Sequence, residues 1–148
     1  MVASLAMEYC HLVCDYEHHI IPIIFGAYFH DAIEDARMTY NDVLKLARTF
    51  MTNYQAVMAT EIVYALTDEK GRNRHERGSE KHYQDIRDTL YAPFMKMCDR
   101  LANYSYSVET KSRMINVYER EMPFFIEKLG GTKYVPIIMV DRILNIKK

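Results

Sequence analysis

Residues 30–35 have the sequence His-Asp-Ala-Ile-Glu-Asp and follow directly on an apolar stretch. Four ionisable groups within six residues are costly to bury unless they find a partner. On one continuous helix, His30 would lie over Glu34 and Asp31 over Asp35, because positions four apart share a face. A divalent cation would neutralise the carboxylates and accept a neutral imidazole as a ligand. The alternative is a solvated helix end with one capping aspartate.

Apolar residues recur at three- and four-residue spacing on both sides of this segment, as on the buried face of a helix. Upstream, one helix is predicted from Val2 to a point between residues 17 and 21, and a second begins near Pro22 and runs into the segment. Downstream, Thr39 is the predicted N-cap of a further helix. Later helices are predicted over about residues 54–66, 76–90, 92–104 and 107–129, with a short one after Pro136. The sequence therefore predicts an all-α fold, a helical bundle with short connections.

The length and composition fit one globular domain. The chain has 148 residues, 49% of them apolar, with 5 Gly, 4 Pro and a net charge of -1. We predict a single domain over residues 1–148, with a motif-bearing core over about 1–110 and packing helices over about 107–148. Near-neutral charge gives no overall attraction to nucleic acid or anionic membranes. Three cysteines without paired spacing indicate free thiols, and the apolar stretches are too short for a membrane span, so a cytoplasmic protein is expected.

A second informative segment, residues 98–103, has the sequence Cys-Asp-Arg-Leu-Ala-Asn. Asp99 borders the apolar stripe of its predicted helix, and Asn103 lies one turn further along the same face. An aspartate in such a position is more often a hydrogen-bonding group between helices than a metal ligand. The segment gains weight only in combination with residues 30–35.

Together, the two segments resemble the HD superfamily of metal-dependent phosphohydrolases. His30-Asp31 matches the tandem His-Asp that names the superfamily, and Asp99 matches its late metal-binding aspartate. More narrowly, residues 30–35 are similar to the H-D-x-x-E-D signature of the RelA/SpoT-type (p)ppGpp hydrolase domains, and residues 99–103 to their D-R-L-x-N. The stretch from Ala65 to Arg77 also resembles the small stand-alone hydrolases of this group. The resemblance covers about residues 1–110 and implies an HD-domain helical bundle.

The resemblance implies a single divalent cation held by His30, Asp31 and Asp99. Mn²⁺ is the usual ion of the family, and mixed imidazole and carboxylate ligands suit Mn²⁺ or Fe²⁺ better than a thiolate-preferring metal. Such an ion polarises a phosphoryl oxygen and lowers the pKa of a bound water. Glu34 and Asp35 match the pair that orients and deprotonates this water in the family.

Substrate-binding residues are expected in two places. Asn103 matches a family residue that contacts the nucleotide sugar. The segment 70–82 holds five positive and two negative side chains, a local charge of +3 that suits a pyrophosphate-bearing substrate. Within it, Arg74 falls at the family's phosphate-contacting position, and Arg77 and Lys81 are further candidates. The alternative is a solvated loop and helix start with internal ion pairs.

The other histidines depart from the family pattern. HD enzymes supply one more metal-binding His from the helix before the His-Asp pair, where this chain offers His11, His18 and His19. His11 points away from the predicted buried face, and the other two lie at or beyond the predicted helix end. His75 and His82 share a helix face, but dinuclear HD enzymes use a different histidine pattern. We therefore expect that the chain starts inside the family's first helix, which would weaken metal affinity and lower catalytic activity.

The predicted function is that of a metal-dependent phosphohydrolase acting on a nucleotide phosphate or pyrophosphate, with (p)ppGpp 3′-pyrophosphate hydrolysis as the specific hypothesis. The expected partner is a small-molecule nucleotide, with no nucleic acid and no membrane. Two alternatives stay open: another HD nucleotidase or phosphatase, and a degenerate HD module that binds a nucleotide without turnover. The missing histidine motivates the second alternative.

Overall fold

The computed structural model describes residues 1–68 and 72–147, and these residues form α-helices and short 3₁₀ turns but no β-strand. The predicted all-α fold class is therefore confirmed. The α-helices are α1 Val2–Tyr9, α2 Ile20–Phe29, α3 Ala32–Asp35, α4 Tyr40–Ala47, α5 Asn53–Leu66, α6 Arg74–Arg77, α7 Glu80–Asp88, α8 Ala92–Glu109, α9 Met114–Lys128 and α10 Ile137–Leu144. The 3₁₀ turns are Cys10–Leu12, Glu17–His19 and Gly131–Lys133. Within the described residues, none of the helices has the length and apolar character needed to cross a membrane.

Side-chain caps set the starts of two central helices. Thr39 accepts a hydrogen bond from the main-chain N–H of Asp42, whose carboxylate accepts from the N–H of Thr39, so the predicted N-cap of α4 is confirmed. Thr52 and Gln55 form the same reciprocal pair at the start of α5. Each pair satisfies two main-chain donors that would otherwise lack a partner at a helix start.

Three predicted helix boundaries are wrong. The first helix ends at Tyr9 and not between residues 17 and 21, because the chain turns away to place the N–H of Asp15 on the hydroxyl of Tyr91. The helix predicted over 76–90 is split into α6 and α7, since Ser79 accepts a hydrogen bond from the N–H of His82 and starts a new helix. The helix predicted from residue 107 begins only at Met114, because α8 continues to Glu109.

α2, α5 and α8 pack against one another and hold the core that positions the functional residues. Ile23, Ile62 and Met95, one from each helix, are fully buried. Gly26 of α2 faces Ile62, and a Cβ atom at Gly26 would lie only 3.0 Å from Cγ2 of Ile62. The glycine therefore allows close contact between α2 and α5. This packing fixes the C-terminal end of α2, where residue 30 follows, relative to the middle of α8.

Candidate metal centre

The His-Asp pair lies in a turn between two helices. α2 ends at Phe29 and α3 begins at Ala32, so His30 and Asp31 form the connection between them. The predicted continuous helix is therefore interrupted at this point, although the N–H of Asp35 still donates to the carbonyl oxygen of Asp31 as on a helix. Because neighbouring side chains on a continuous helix diverge by about 100°, the break is what allows these two to meet. Nε2 of His30 lies 2.9 Å from Oδ2 of Asp31.

Asp99, the third predicted metal ligand, approaches the same imidazole nitrogen from α8. Its Oδ1 lies 3.6 Å from Nε2 of His30. The side chains of His30 and Asp99 are only 14% and 16% exposed, whereas that of Asp31 is 53% exposed. The fold thus gathers the three predicted ligands around one nitrogen atom and shields two of them from water.

The second imidazole nitrogen is held by the main chain of α2. Nδ1 of His30 lies 2.9 Å from the carbonyl oxygen of Ala27. When Nδ1 donates to this carbonyl, a neutral His30 leaves the lone pair of Nε2 available to a metal ion. Metal-binding histidines are commonly oriented by such a hydrogen bond on the other ring nitrogen.

The carboxylates stabilise a positive charge at this point. Burial disfavours the charged form of His30, but the contacts with Asp31 and Asp99 outweigh burial and raise the pKa of His30 to about 10. Burial also raises the pKa of Asp99, while the contact with His30 and the charge of Lys96 bring it below its ordinary value. The two neighbouring carboxylates therefore favour the imidazolium form of His30.

These residues fit a divalent cation by their chemistry. One imidazole and two carboxylates form a donor set suited to Mn²⁺ or Fe²⁺. Nε2 of His30 lies 2.9 Å from Asp31 and 3.6 Å from Asp99, so the three donors are near neighbours. Over the described ranges, however, no group of three or more His, Cys, Asp or Glu side chains forms a complete pre-arranged metal site. The fit therefore rests on the chemical types of the three donors and on the closeness of two carboxylates to Nε2 of His30.

Glu34, one of the two predicted catalytic acids, is held by the main chain of a neighbouring segment. Its Oε1 accepts a hydrogen bond of 2.5 Å from the N–H of Asp68, just after the end of α5. Partial burial of the carboxylate raises the pKa of Glu34 above its ordinary value, and the Asp68 N–H opposes this shift. Asp35, the other predicted acid, ends the same short helix α3 and is exposed.

Asn103 lies beside the predicted metal ligands. Its Nδ2 donates a hydrogen bond of 2.7 Å to Oδ1 of Asp99, the same oxygen atom that approaches His30. Asn103 is exposed at the surface of α8. Its side-chain amide therefore orients Asp99.

The other predicted substrate-binding residues are placed differently. Arg74 forms two hydrogen bonds with the carboxylate of Glu121 in α9, at 2.6 and 2.9 Å, so its partner lies outside the segment 70–82. Arg77 is exposed. Burial raises the pKa of Asp68, and the charge of Arg77 is one of the effects that lower it. Lys81 is exposed in the first turn of α7. Lys70 lies outside the described residues.

Three residues near the centre were missed by the sequence reasoning. Nζ of Lys96 lies 3.5 Å from Oδ2 of Asp99, with the side chain only 15% exposed. Nε2 of His82 lies 3.0 Å from Oδ1 of Asp68, with the histidine side chain 5% exposed. A single lysine inside the apolar run Phe-Met-Lys-Met was a usable signal for Lys96. The pairing of Asp68 with His82 depends on tertiary packing and has no local signal.

The upstream histidines do not join the centre. His11 and His18 are exposed, and His19 is buried with Nδ1 2.5 Å from the hydroxyl of Tyr91. His19 precedes α2 and His30 follows it, so the two are about 16 Å apart at 1.5 Å per residue.

The chain has no match among protein-family models, curated proteins or solved structures.

Proposed function

We propose that this protein is a metal-dependent phosphohydrolase of the HD type that acts on a nucleotide phosphate or pyrophosphate. The observation that carries the proposal is the arrangement around Nε2 of His30, which faces carboxylate oxygens of Asp31 and Asp99 while Nδ1 is held by Ala27. In metal sites, a histidine ligand is commonly oriented by a hydrogen bond on its other ring nitrogen, and here two acidic side chains lie next to the free nitrogen. We propose one divalent ion here, with Mn²⁺ as the first candidate.

The proposed ligands are His30, Asp31 and Asp99, with water and substrate oxygens completing the shell. When bound, the metal would polarise a phosphoryl oxygen and lower the pKa of a coordinated water. Asn103 holds Oδ1 of Asp99 and so restricts the rotation of this ligand. The chain itself thus supplies both the donors and part of their orientation.

Glu34 and Asp35 are the proposed acids that orient and deprotonate the attacking water. One oxygen of Glu34 is occupied by the N–H of Asp68, which leaves the other oxygen to accept a proton. The raised pKa of Glu34 brings this carboxylate closer to the pH at which a general base is most effective.

The proposed substrate is a small cytoplasmic nucleotide, and (p)ppGpp, cleaved at its 3′-pyrophosphate, is the specific candidate. Lys96 and Arg77 place positive charge near Asp68, and both lower the pKa of Asp68 against the effect of burial. Polyphosphates need such cations close to the reacting group. Because Arg74 is already paired with Glu121, it can serve a substrate only if the nucleotide competes for the guanidinium or shares it.

A second candidate function is a non-catalytic HD-type module that binds a nucleotide without turnover. One observation favours it: in the residues that the structure describes, no complete group of three metal donors is pre-arranged. His11 and His18 are exposed, and His19 is engaged by Tyr91, so none supplies a further imidazole to the centre.

The test is metal content combined with phosphate release. The purified protein, loaded with Mn²⁺, is incubated with ppGpp, and the products are separated to distinguish pyrophosphate from 5′-phosphate release. We expect about one equivalent of Mn²⁺ per chain and pyrophosphate release, both lost in Asp99→Ala and both kept in Asp85→Ala, an exposed aspartate of α7. Metal binding without turnover would favour the binding module. Release of 5′-phosphate would favour a nucleotidase, and a protein that takes up no metal would overturn the proposal.

A further inference from the structure

Asp68, which contacts Glu34 through its main chain, also contacts His82 through its side chain. His82 lies in α7 and is buried, whereas Asp68 follows α5 and its side chain is 33% exposed. Nε2 of His82 lies 3.0 Å from Oδ1 of Asp68, at ion-pair distance but without hydrogen-bond geometry, and it has no hydrogen-bond partner among the described residues. A buried imidazole nitrogen without a hydrogen bond is costly, and the close contact with the Asp68 carboxylate offsets part of this cost.

The same residue contacts Glu34 through its main chain. The N–H of Asp68 donates to Oε1 of Glu34 over 2.5 Å. Asp68 stands in an irregular segment, just after α5 ends at Leu66, so no helical hydrogen bond fixes the direction of this N–H. The side-chain contact with His82 anchors the segment to α7, and it thereby fixes where the N–H points.

Glu34 needs such a support because of its position. It lies in a helix of four residues and is exposed, and a free glutamate side chain at the surface adopts many rotamers. A general base is effective only when its carboxylate is held within hydrogen-bond reach of the water. The Asp68 N–H donates to one oxygen of the Glu34 carboxylate. Because the carboxylate is rigid, this hydrogen bond also restricts the direction of the other oxygen.

The surrounding charges favour this arrangement. Asp68 and Glu34 would repel each other as two carboxylates, but His82, Lys96 and Arg77 surround Asp68 with donors or positive charge. Lys96 also opposes the effect of burial and of Asp68 on the pKa of Glu34. Because these groups balance the negative charge of the Asp68 carboxylate, the main-chain N–H of Asp68 can approach Glu34 without strong repulsion between the two carboxylates.

We infer that Asp68 and His82 are positioning residues that hold Glu34 in place for water activation through the main-chain N–H of Asp68. The inference rests on the proposed phosphohydrolase function, and it adds two residues from separate elements to the proposed site. Neither residue touches the reacting atoms. Their role is to keep one carboxylate oriented.

The first arm of the test is kinetic. With Mn²⁺ and ppGpp, we expect Asp68→Ala and His82→Ala to lower kcat about tenfold while KM and Mn²⁺ affinity stay within about twofold. Asp68→Asn and His82→Gln should restore most of kcat, because an amide can still make the contact between the two side chains. His19→Ala is the matched control, since it also removes a buried histidine but at the far end of α2. We expect it to lower stability and leave kcat unchanged.

The second arm does not depend on turnover. Hydrogen exchange of the residue 68 amide, followed by NMR, should be protected in the wild type and in His19→Ala. In Asp68→Ala and His82→Ala it should be roughly tenfold faster, with the exchange of core amides in α5 unchanged. If the wild type hydrolyses no phosphate ester, the proposed function fails and the exchange result alone decides the positioning role. Unchanged exchange at residue 68, or unchanged kcat in both alanine variants of an active enzyme, would overturn the inference.

Discussion

The side-chain amide of Asn103 donates a hydrogen bond of 2.7 Å to Oδ1 of Asp99, one turn earlier on α8, and the same oxygen lies 3.6 Å from Nε2 of His30. Asn103 therefore orients a proposed metal ligand. We expect Asn103→Ala to weaken Mn²⁺ binding about tenfold, because partners of ligating carboxylates contribute on this scale. Isothermal titration of Mn²⁺ into the metal-free protein measures the effect.

The matched control for this variant is Gln84→Ala. Gln84 makes the same kind of bond, an amide donating over 2.9 Å to the aspartate four residues later, but it does so on the exposed face of α7. Loss of Mn²⁺ affinity in Asn103→Ala alone would support the orienting role. Equal affinities in the two variants would contradict it.

Much of the helical framework could be predicted from apolar spacing and capping residues. Thr39 marked the start of α4 correctly, and Pro136 correctly preceded the last helix. The break between His30 and Asp31 could not be predicted, because neither residue is a helix breaker and the apolar pattern continues through the segment.

The candidate site could be predicted from the sequence only in part, for the same reason. His30, Asp31 and Asp99 were found through their resemblance to family motifs, and the fold brings these residues together. The contact of Asp68 with His82 joins the end of one helix to the interior of another, so it follows only from packing. Sequence patterns identify chemical groups, whereas tertiary contacts decide which of them support one another.

Arg74 and Arg100 both pair with the carboxylate of Glu121. Substitutions at Glu121 and Arg74 can therefore separate a structural role of this pairing from a role of Arg74 in binding substrate. Arg100 is buried against the rings of Tyr118 and Phe125 and lies 3.0 Å from Oε2 of Glu121. We expect Glu121→Ala to lower the free energy of unfolding by about 2 kcal/mol, because it leaves the buried Arg100 without its partner. Arg74→Ala removes only a partly exposed pair and should cost less than about 1 kcal/mol.

Urea unfolding of both variants measures these free energies, and the KM for ppGpp of Arg74→Ala measures the substrate role. A raised KM with nearly unchanged stability would support phosphate contact by Arg74. An unchanged KM would assign Arg74 to the ion pair with Glu121 alone.

His19 predicts a pH dependence of stability. Burial lowers the pKa of His19 from 6.5, and His18 adds to the shift while Asp15 opposes it. Below pH 6.5, His19 binds a proton in the unfolded chain but not in the folded protein. The stability that neutral His19 contributes is therefore present above pH 6.5 and is lost as the pH falls through the lower pKa of the folded state. In that interval the free energy of unfolding should fall by up to about 1.4 kcal/mol per pH unit.

The measurement is urea unfolding at several pH values between about 7.5 and 5. We expect His19→Gln to show a smaller pH dependence than the wild type, because it removes the titrating group. His11→Gln, which alters an exposed histidine, should behave like the wild type. A His19→Gln protein that loses stability on acidification as steeply as the wild type would refute the assignment.

Glu34 and Asp35 differ in how they are held, and this difference predicts unequal effects of substitution. Glu34→Gln keeps an oxygen that can accept the Asp68 N–H, so the segment should remain in place while the proton-accepting carboxylate is lost. We expect kcat for ppGpp to fall about 100-fold with KM and Mn²⁺ affinity retained. Asp35→Asn alters an exposed carboxylate and should lower kcat only about tenfold.

Glu109→Gln is the control for these two variants, since it makes the same change at an exposed site at the end of α8. It should keep the wild-type kcat. If Asp35→Asn were the more damaging variant, Asp35 would be the base and Glu34 would serve to fix the α3 turn against the end of α5. If neither variant lowered kcat, water activation would have to be assigned to a group other than the two acids of this turn.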